Sequence, residues 1–330
     1  MADVTDCAFR QIIAKYGKPD IFWTEFVSAD GLAHPIAREK LLIDLKYGEN
    51  ERPIVAQIFG GKPENIKIAA ALCKDLGFDG IDINMGCPDK SVEKQCAGAA
   101  MMKNPKLARE IIRAAREGGG GLPISVKTRV GYNRNEIETW IPELLKENLA
   151  ALTVHLRTRK EMSDVPAHWE MMKRIVEIRD EMGVETLILG NGDIMNLKEA
   201  EEKVKETGCD GVMLGRAIFG NPFLFAPCEG GDAKGRGGKD EKRKLEVLIE
   251  HTKLFEEMLG NNPLRPRYAK ATPGEQGFGG SSKNFAIMKK HFKAYVNGFD
   301  GAKELRMKLM ETENAAQVEE IVSDFLTRLR

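Results

Sequence analysis

Short apolar runs alternate with amphipathic stretches along most of this chain. The apolar runs lie at residues 20–25, 53–60, 80–86, 123–129, 151–157, 186–190 and 211–215, and the amphipathic stretches lie at 63–76, 105–117, 136–148, 169–182 and 196–207. Continuous apolar runs are typical of parallel strands that helices cover on both faces. The repeated strand–helix units predict either a (β/α)8 barrel or a doubly wound parallel sheet.

The count of strands favours a barrel whose first strand is absent. The pattern predicts seven strands, whereas a (β/α)8 barrel has eight. Residues 6–16 have the pattern of the helix that follows a strand, so we expect the first barrel strand to precede Met1. Without that strand, the two strands beside the gap would have unpaired edges. We therefore expect a TIM (β/α)8 barrel that lacks its first strand in this chain.

The last third of the chain has a different composition. Glycine and charged residues dominate 228–244, which is the composition of a linker. Helical patterns follow at 245–259, 285–296, 301–310 and 315–329. The predicted organisation is a barrel domain over 1–227, a linker over 228–244 and a small C-terminal helical domain over 245–330.

Composition excludes several classes of protein. The chain has 330 residues, 42% of them hydrophobic, and a formal net charge of +0. It has neither a long apolar run nor a secretory signal at its start, so no membrane span is expected. Its six cysteines are widely spaced, which predicts neither a zinc site nor a disulfide framework. We expect a reduced, cytoplasmic protein without a bound metal.

Glycine-rich turns follow the last two predicted strands. Asn191-Gly192-Asp193 follows the penultimate strand, and Gly215-Arg216 follows the last one. In (β/α)8 barrels these two loops commonly bind phosphate. Ordinary tight turns would also use glycine, but two such motifs on successive strands favour a cofactor that carries phosphate.

Polar side chains interrupt the ends of the other apolar runs. They are Gln57, Asn84, Lys127, Arg129, His155 and Arg157. A layer of internal salt bridges with Glu25, Asp82 and Asp193 is one interpretation. Burying unpaired charges is costly, so the convergence of the whole set favours a binding site. Flavin mononucleotide fits such a site, because its ring takes both donors and acceptors and its phosphate suits the glycine-rich turns.

Several longer motifs resemble those of one family. They are Met-Ala-Asp-Val-Thr-Asp-Cys-Ala-Phe-Arg at the start, Asp-Ile-Asn-Met-Gly-Cys-Pro at 82–88, Val-Lys-Thr-Arg at 126–129, Leu-Thr-Val-His-Leu-Arg-Thr-Arg at 152–159, Asn-Gly-Asp at 191–193 and Leu-Gly-Arg-Ala at 214–217. With these motifs the chain resembles the tRNA-dihydrouridine synthases of the bacterial type. The resemblance implies an FMN-dependent oxidoreductase that reduces the C5–C6 bond of specific uridines in tRNA, with NADPH as reductant.

The resemblance also implies a role for each matching residue. Cys87 is expected to be the general acid that supplies a proton to the uracil ring. The residues expected to bind FMN are Met1, Ala2, Gln57, Asn84, Lys127, His155, Asn191, Gly192, Asp193, Gly215 and Arg216. Arg157 is expected to lie near the flavin or the target base, and we assign it to the tRNA site.

A basic stretch in the helical tail is the candidate surface for the tRNA backbone. Lys289, Lys290 and Lys293 lie at helical spacing, with His291 and Tyr295 interleaved for stacking on bases. A solvated helix face is the simpler interpretation of such a run. We expect a tRNA partner and a monomer.

Two other functions fit parts of the pattern. An FMN barrel acting on a free pyrimidine, like a dihydroorotate dehydrogenase, would share the strand-end residues but would not need the basic tail. An inactive tRNA-binding protein would follow if the absent strand prevented flavin binding. The flavin content separates an inactive tRNA-binding protein from an enzyme. The size of the substrate separates an enzyme acting on a free pyrimidine from one acting on tRNA.

Overall fold

The computed structural model describes residues 3–226, 237–260 and 281–328, and for 237–240 it describes only the backbone. The strands are β1 Phe22–Trp23, β2 Val27–Ser28, β3 Ile54–Phe59, β4 Gly80–Asn84, β5 Ile124–Arg129, β6 Ala151–His155, β7 Leu187–Asn191 and β8 Gly211–Val212. The helices are α1 Cys7–Tyr16, α2 Ala29–Ala33, α3 Pro35–Leu41, α4 Pro63–Asp75, α5 Lys90–Glu93, α6 Pro105–Gly119, α7 Ile137–Leu145, α8 Glu170–Glu181, α9 Leu197–Thr207, α10 Gly237–Leu259, α11 Met288–Tyr295, α12 Ala302–Met310 and α13 Ala315–Arg328. Short 3₁₀-helices lie at Leu42–Leu45, Glu49–Glu51, Gly98–Lys103, Arg216–Ile218 and Phe285–Ile287.

The chain divides into two compact units, which we describe separately. The helical unit comprises Met1–Glu25, Leu42–Arg52 and Ala217–Arg330, and the barrel unit comprises Phe26–Leu41 and Pro53–Arg216. The predicted barrel domain and tail differ from these units in their boundaries, because the helical unit also takes in the first residues of the chain.

The order of strands in the barrel unit decides between the two predicted folds. Strand β2 pairs with β3, and β3 to β8 then follow in chain order, each parallel to the next. A doubly wound sheet reverses its strand order at a switch point, whereas a (β/α) barrel continues in one direction. The prediction of a TIM-type barrel is therefore confirmed. The two-residue strand β2 is too short to show a periodic pattern, and the sequence did not predict it.

Helix α6 illustrates how the sequence sets the covering layer of the barrel unit. The side chain of Asn104 caps the first turn by accepting from Leu107 N, and Pro105 occupies the first helical position. Gly120 ends the helix at φ 54, in the left-handed region that favours glycine. The buried residues are spaced by three and four, which places one apolar face against the sheet: they include Ala108, Ile111, Ile112 and Ala115.

The first helix after the predicted linker begins earlier than expected. Helix α10 starts at Gly237, so residues 237–244 of the predicted linker are helical, and residues 228–236 of that linker lie outside the described residues. Lysine, arginine and glutamate are strong helix formers, and Lys242 pairs with Glu246 one turn later at 3.8 Å. No helix in the part of the chain that the structure describes is long and apolar enough to cross a membrane.

Two histidines form part of the core of the helical unit. His251 and His291 are both fully buried, and their rings meet edge to face at 4.6 Å between centroids. Phe9 stacks on His251 and Tyr295 lies beside both rings. Within the described residues, none of the four ring nitrogens has a hydrogen-bond partner. Burial lowers the pKa of His251 well below its usual value and that of His291 to about 3, so both rings are neutral.

We expect the helical unit to lose stability in acid because of this pair. A folded-state pKa below the ordinary value of about 6.5 means that the unfolded chain takes up more protons below that pH. The free energy of unfolding should therefore fall by roughly 1.4 kcal/mol per pH unit per histidine below about pH 6.5. Burial raises the pKa of Asp6 in the same unit to about 6, which offsets part of this loss. Unfolding midpoints measured at several pH values should show less acid sensitivity in His291→Phe than in the wild type or in His34→Gln, which alters an exposed histidine.

Candidate active site

Polar side chains converge where the strands of the barrel unit end. The register places Asn84 opposite Lys127 and His155 opposite Asn191. Lys127 Nζ donates to Asn191 Oδ1 at 3.1 Å, which links β5 to β7 across the end of β6. The carboxyl ends of barrel strands carry the active site in this fold. These four predicted site residues therefore lie in one cluster.

Two side-chain amides hold the turn that follows β4. Asn84 Nδ2 donates to Gln57 Oε1 at 3.2 Å, and Asn84 Oδ1 accepts from the backbone N–H groups of Gly86 at 3.1 Å and Cys87 at 2.9 Å. Gln57 and Asn84 are both buried. The position of Cys87 thus depends directly on how the Asn84 amide is oriented.

The thiol of Cys87 lies in a mostly apolar setting. It is partly buried and packs against the core residues Phe59, Val92 and Ala97. Burial raises the pKa of the Cys87 thiol, and the hydrogen bond from the Asp89 backbone and the positive charge of Arg129 oppose this only in part. The thiol is therefore protonated at neutral pH, the state that a proton donor needs and a nucleophile does not.

Lys127 carries a partly buried positive charge. Burial, followed by repulsion from Arg129, lowers the pKa of Lys127 to about 8. An ammonium group has three protons to donate. Within residues 3–226, 237–260 and 281–328, the one hydrogen bond it donates goes to Asn191. The group is protonated at neutral pH and can bind an acceptor or an anion.

Arg157 determines which nitrogen of His155 carries a proton. Arg157 Nη1 lies 3.1 Å from His155 Nε2, and a guanidinium can only donate, so Nε2 must be the acceptor. Burial and the charges of Lys127 and Arg129 lower the pKa of His155 to about 2, so the ring is neutral. A neutral ring with a bare Nε2 carries its proton on Nδ1. His155 therefore offers an Nδ1–H donor.

Arg157 itself is an interior residue. Its side chain is 3% exposed, and besides contacting His155 it pairs with Asp193 and donates to the carbonyl of Val165 at 2.6 Å. Such burial does not suit a residue that contacts tRNA directly. The prediction that Arg157 belongs to the tRNA site stays a prediction, and its observed contacts favour a role within the barrel.

The turn after β7 is held by charge pairing. Asp193, at φ 58, accepts from Arg157, from Arg216 at 2.6 Å and from the backbone N–H of Ala167 at 2.8 Å. Burial alone would raise the pKa of Asp193, but the hydrogen bonds from Arg157 and Ala167, together with the positive charges of Arg157 and Arg216, hold the pKa below the usual range. Gly192 has φ 134, and a Cβ there would lie 2.7 Å from Ala167 Cβ. The chain itself therefore requires this glycine, whether or not a phosphate binds.

The charge balance of the cluster favours an anionic ligand. Four cationic side chains, Lys127, Arg129, Arg157 and Arg216, accompany two carboxylates, Asp82 and Asp193. Among the described residues, a Cβ at Gly215 would meet nothing within 4 Å, so the turn after β8 is open to them at this point. The donors and the positive charge fit a ligand that carries a phosphate group. Among the described residues, no group of three or more His, Cys, Asp or Glu could hold a metal ion.

The structure corrects part of the predicted tRNA surface in the helical unit. Lys290 and Lys293 are exposed on α11 and Lys289 is partly exposed. His291 and Tyr295 lie on the buried face of the same helix, so the prediction that they stack on bases is wrong. Lys290 pairs with Asp3 at 3.1 Å.

Met1 and Ala2, predicted to contact flavin, lie outside the described residues.

Comparison with known proteins identifies the family. The family model described as dihydrouridine synthase matches residues 1–330. This chain belongs to the dihydrouridine synthase family. It is 38% identical over 326 residues to a Bacillus subtilis protein named "Probable tRNA-dihydrouridine synthase 2", covering 98% of this chain and 92% of that protein. A Staphylococcus epidermidis protein named "Probable tRNA-dihydrouridine synthase" is 38% identical over 330 residues, with coverage of 100% and 93%.

A solved structure agrees with the fold of this family member. A 2-naphthoyl-CoA reductase aligns with a TM-score of 0.50 at 13% identity, over 68% of this chain and 46% of that one. At this identity the likeness concerns the fold alone, and it agrees with the barrel inferred from the strand order.

Proposed function

We propose that this protein is an FMN-dependent tRNA-dihydrouridine synthase, which reduces the C5–C6 bond of uridine in tRNA. The observation that carries the proposal is the partly buried thiol of Cys87 just after β4, whose pKa burial raises, in the same cluster as the amide of Asn84 and the ammonium of Lys127. The names of the relatives support tRNA as the substrate.

The cluster at the strand ends fits FMN by its donors and its charge. The residues that would hold it are Gln57, Asn84, Lys127, His155, Asn191, Gly192, Asp193, Gly215 and Arg216. Bound in its reduced form, the flavin supplies the hydride that the reaction requires. Lys127 contributes a positive charge and His155 an Nδ1–H donor, and both favour a ligand that carries or develops negative charge.

Cys87 supplies the proton in this proposal. Saturating a C5–C6 double bond adds a hydride to C6 and a proton to C5, and the thiol holds such a proton at neutral pH. The hydrogen bonds from Gly86 and Cys87 to Asn84 keep the turn in place. A target base must leave its stack to reach a group at the end of a barrel strand. NADPH is the proposed source of electrons, and the cytoplasm is the proposed place of action.

A reductase of free pyrimidines is the second candidate, because the same strand-end residues would serve it. Turnover measured in parallel with unmodified tRNA, with uridine and with orotate separates the two proposals. We expect product only from tRNA. Turnover of a free pyrimidine, with none of tRNA, would favour the second candidate.

Lys289 and Lys293 should contribute to tRNA binding through phosphate contacts. We expect the double substitution Lys289→Gln and Lys293→Gln to weaken tRNA binding and to reduce the slope of log K against log salt by about one per lost contact. The matched control is Lys198→Gln, which removes an exposed lysine on α9 of the barrel unit. A salt slope that stays the same in the double variant would exclude Lys289 and Lys293 from the tRNA interface.

A further inference from the structure

The cluster contains a fully buried carboxylate to which the proposed function gives no role. Asp82, in the middle of β4, accepts a hydrogen bond from Ser125 Oγ at 2.6 Å and another from Gln57 Nε2 at 2.8 Å. Its side chain is 0% exposed. Burying a charged group is costly unless its hydrogen bonds are made, and each oxygen of the Asp82 carboxylate accepts one.

The salt-bridge layer considered from the sequence does not account for Asp82. Within the described residues, Asp82 forms no ion pair at or below 4.0 Å, and the ammonium of Lys127 donates to Asn191 instead. Two neutral donors hold the carboxylate. Burial raises the pKa of Asp82 to about 6, so the group is mostly ionised at pH 7 and above.

The carboxylate of Asp82 determines which group donates and which accepts in each of the hydrogen bonds that connect it to Cys87. An ionised carboxylate only accepts, so Gln57 must turn its NH₂ group toward Asp82 and its carbonyl oxygen away. That oxygen accepts from Asn84 Nδ2, which leaves Asn84 Oδ1 for the backbone N–H groups of Gly86 and Cys87. Reversing the Gln57 amide would place its oxygen against the Asp82 carboxylate and its NH₂ group against the NH₂ group of Asn84. Asn84 would then have to turn as well.

We propose that Asp82 is a positioning residue that orients the Gln57 and Asn84 amides and thereby holds the backbone at Cys87. Its importance for turnover rests on the proposed function of Cys87 as proton donor. Its effect on the backbone does not, because the contacts exist in the protein without any ligand. Coupled hydrogen bonds of this kind reinforce one another in a buried setting.

Three substitutions test the proposal. Asp82→Leu removes the acceptor while keeping the approximate volume. Asp82→Asn keeps an acceptor, because the hydroxyl of Ser125 can accept from the new NH₂ group while the new carbonyl faces Gln57. Ser125→Ala removes one donor but leaves the direction of the other bonds. The readout is hydrogen exchange at the amides of Gly86 and Cys87 in the ligand-free protein, measured by NMR.

We expect faster exchange at both amides in Asp82→Leu, by about tenfold or more, and near-normal exchange in Asp82→Asn and Ser125→Ala. Turnover should follow the same order, with a loss of about tenfold to a hundredfold in Asp82→Leu. Unchanged exchange in a folded Asp82→Leu protein would overturn the proposal, and so would equal losses in Asp82→Leu and Asp82→Asn.

A fourth variant covers the case in which Asp82→Leu does not fold. Gln57→Met interrupts the same series of hydrogen bonds one step later, with an apolar side chain of similar length. Faster exchange at Gly86 and Cys87 would support the proposal, and normal exchange would overturn it. Because exchange is measured without flavin or tRNA, the result is independent of the proposed reaction. If exchange changes as expected but tRNA is not reduced, the proposed function fails and the positioning role stands.

Discussion

Replacing Cys87 by alanine is expected to lower the turnover of tRNA about a hundredfold or more while leaving FMN bound. General acid catalysis by a positioned group contributes about a hundredfold to ten-thousandfold, and alanine has no proton to give. The flavin should remain, because the residues proposed to hold it lie mainly on other strands. Turnover is measured as dihydrouridine formed per enzyme, and bound flavin by its visible absorbance.

Cys96 supplies a matched control for this substitution. It is an exposed cysteine nine positions along the chain from Cys87. Cys96→Ala should retain turnover close to that of the wild type. If Cys87→Ala also retains turnover, the thiol is not the proton donor, and another acid in the cluster must take that role.

Removing the charge of Lys127 is expected to have the second largest effect. We expect Lys127→Met to weaken FMN binding by about tenfold to a hundredfold, because hydrogen bonds to charged groups contribute roughly 1.5–3 kcal/mol. Lys127→Arg keeps a positive charge and should lose less. Affinity is measured by titrating the ligand-free protein with FMN, so the result does not depend on turnover.

The same residue should make FMN binding depend on pH. Since the pKa of Lys127 is lowered to about 8, its charge is present at neutral pH and is lost as the pH rises through that value. FMN affinity of the wild type should therefore fall above about pH 8. Lys127→Met should show no such fall, and Lys127→Arg should show it only at higher pH. Equal affinity of Lys127→Met and the wild type at neutral pH would exclude Lys127 from the flavin site.

The sequence was sufficient to predict the barrel and the residues that meet at its strand ends. Apolar runs alternating with helices indicate parallel strands, and in a barrel the ends of such strands come together. Asn84, Lys127, His155 and Asn191 could therefore be grouped without coordinates. Two short strands lie within 22–28 in place of the single strand predicted at 20–25. This difference could not be predicted, because two-residue strands leave no periodic signal.

Burial is what the sequence could not predict. Arg157 and Lys283 have the charge expected of RNA-binding residues, yet both are interior: Arg157 pairs with Asp193, and Lys283 pairs with Glu25 and Asp44. On α11 the spacing of the lysines was informative, but it could not show which face of the helix packs inward. The role of Asp82 depends on the direction of its hydrogen bonds, which only the geometry reveals.

Dihydrouridine synthesis can be tested by mass spectrometry of nucleosides from unmodified tRNA incubated with this protein, FMN and NADPH. We predict that uridine gains two hydrogen atoms in the wild-type reaction and that this product is nearly absent with Cys87→Ala. Wild-type protein that binds FMN yet leaves every uridine unreduced would contradict the assignment of this site to dihydrouridine synthesis.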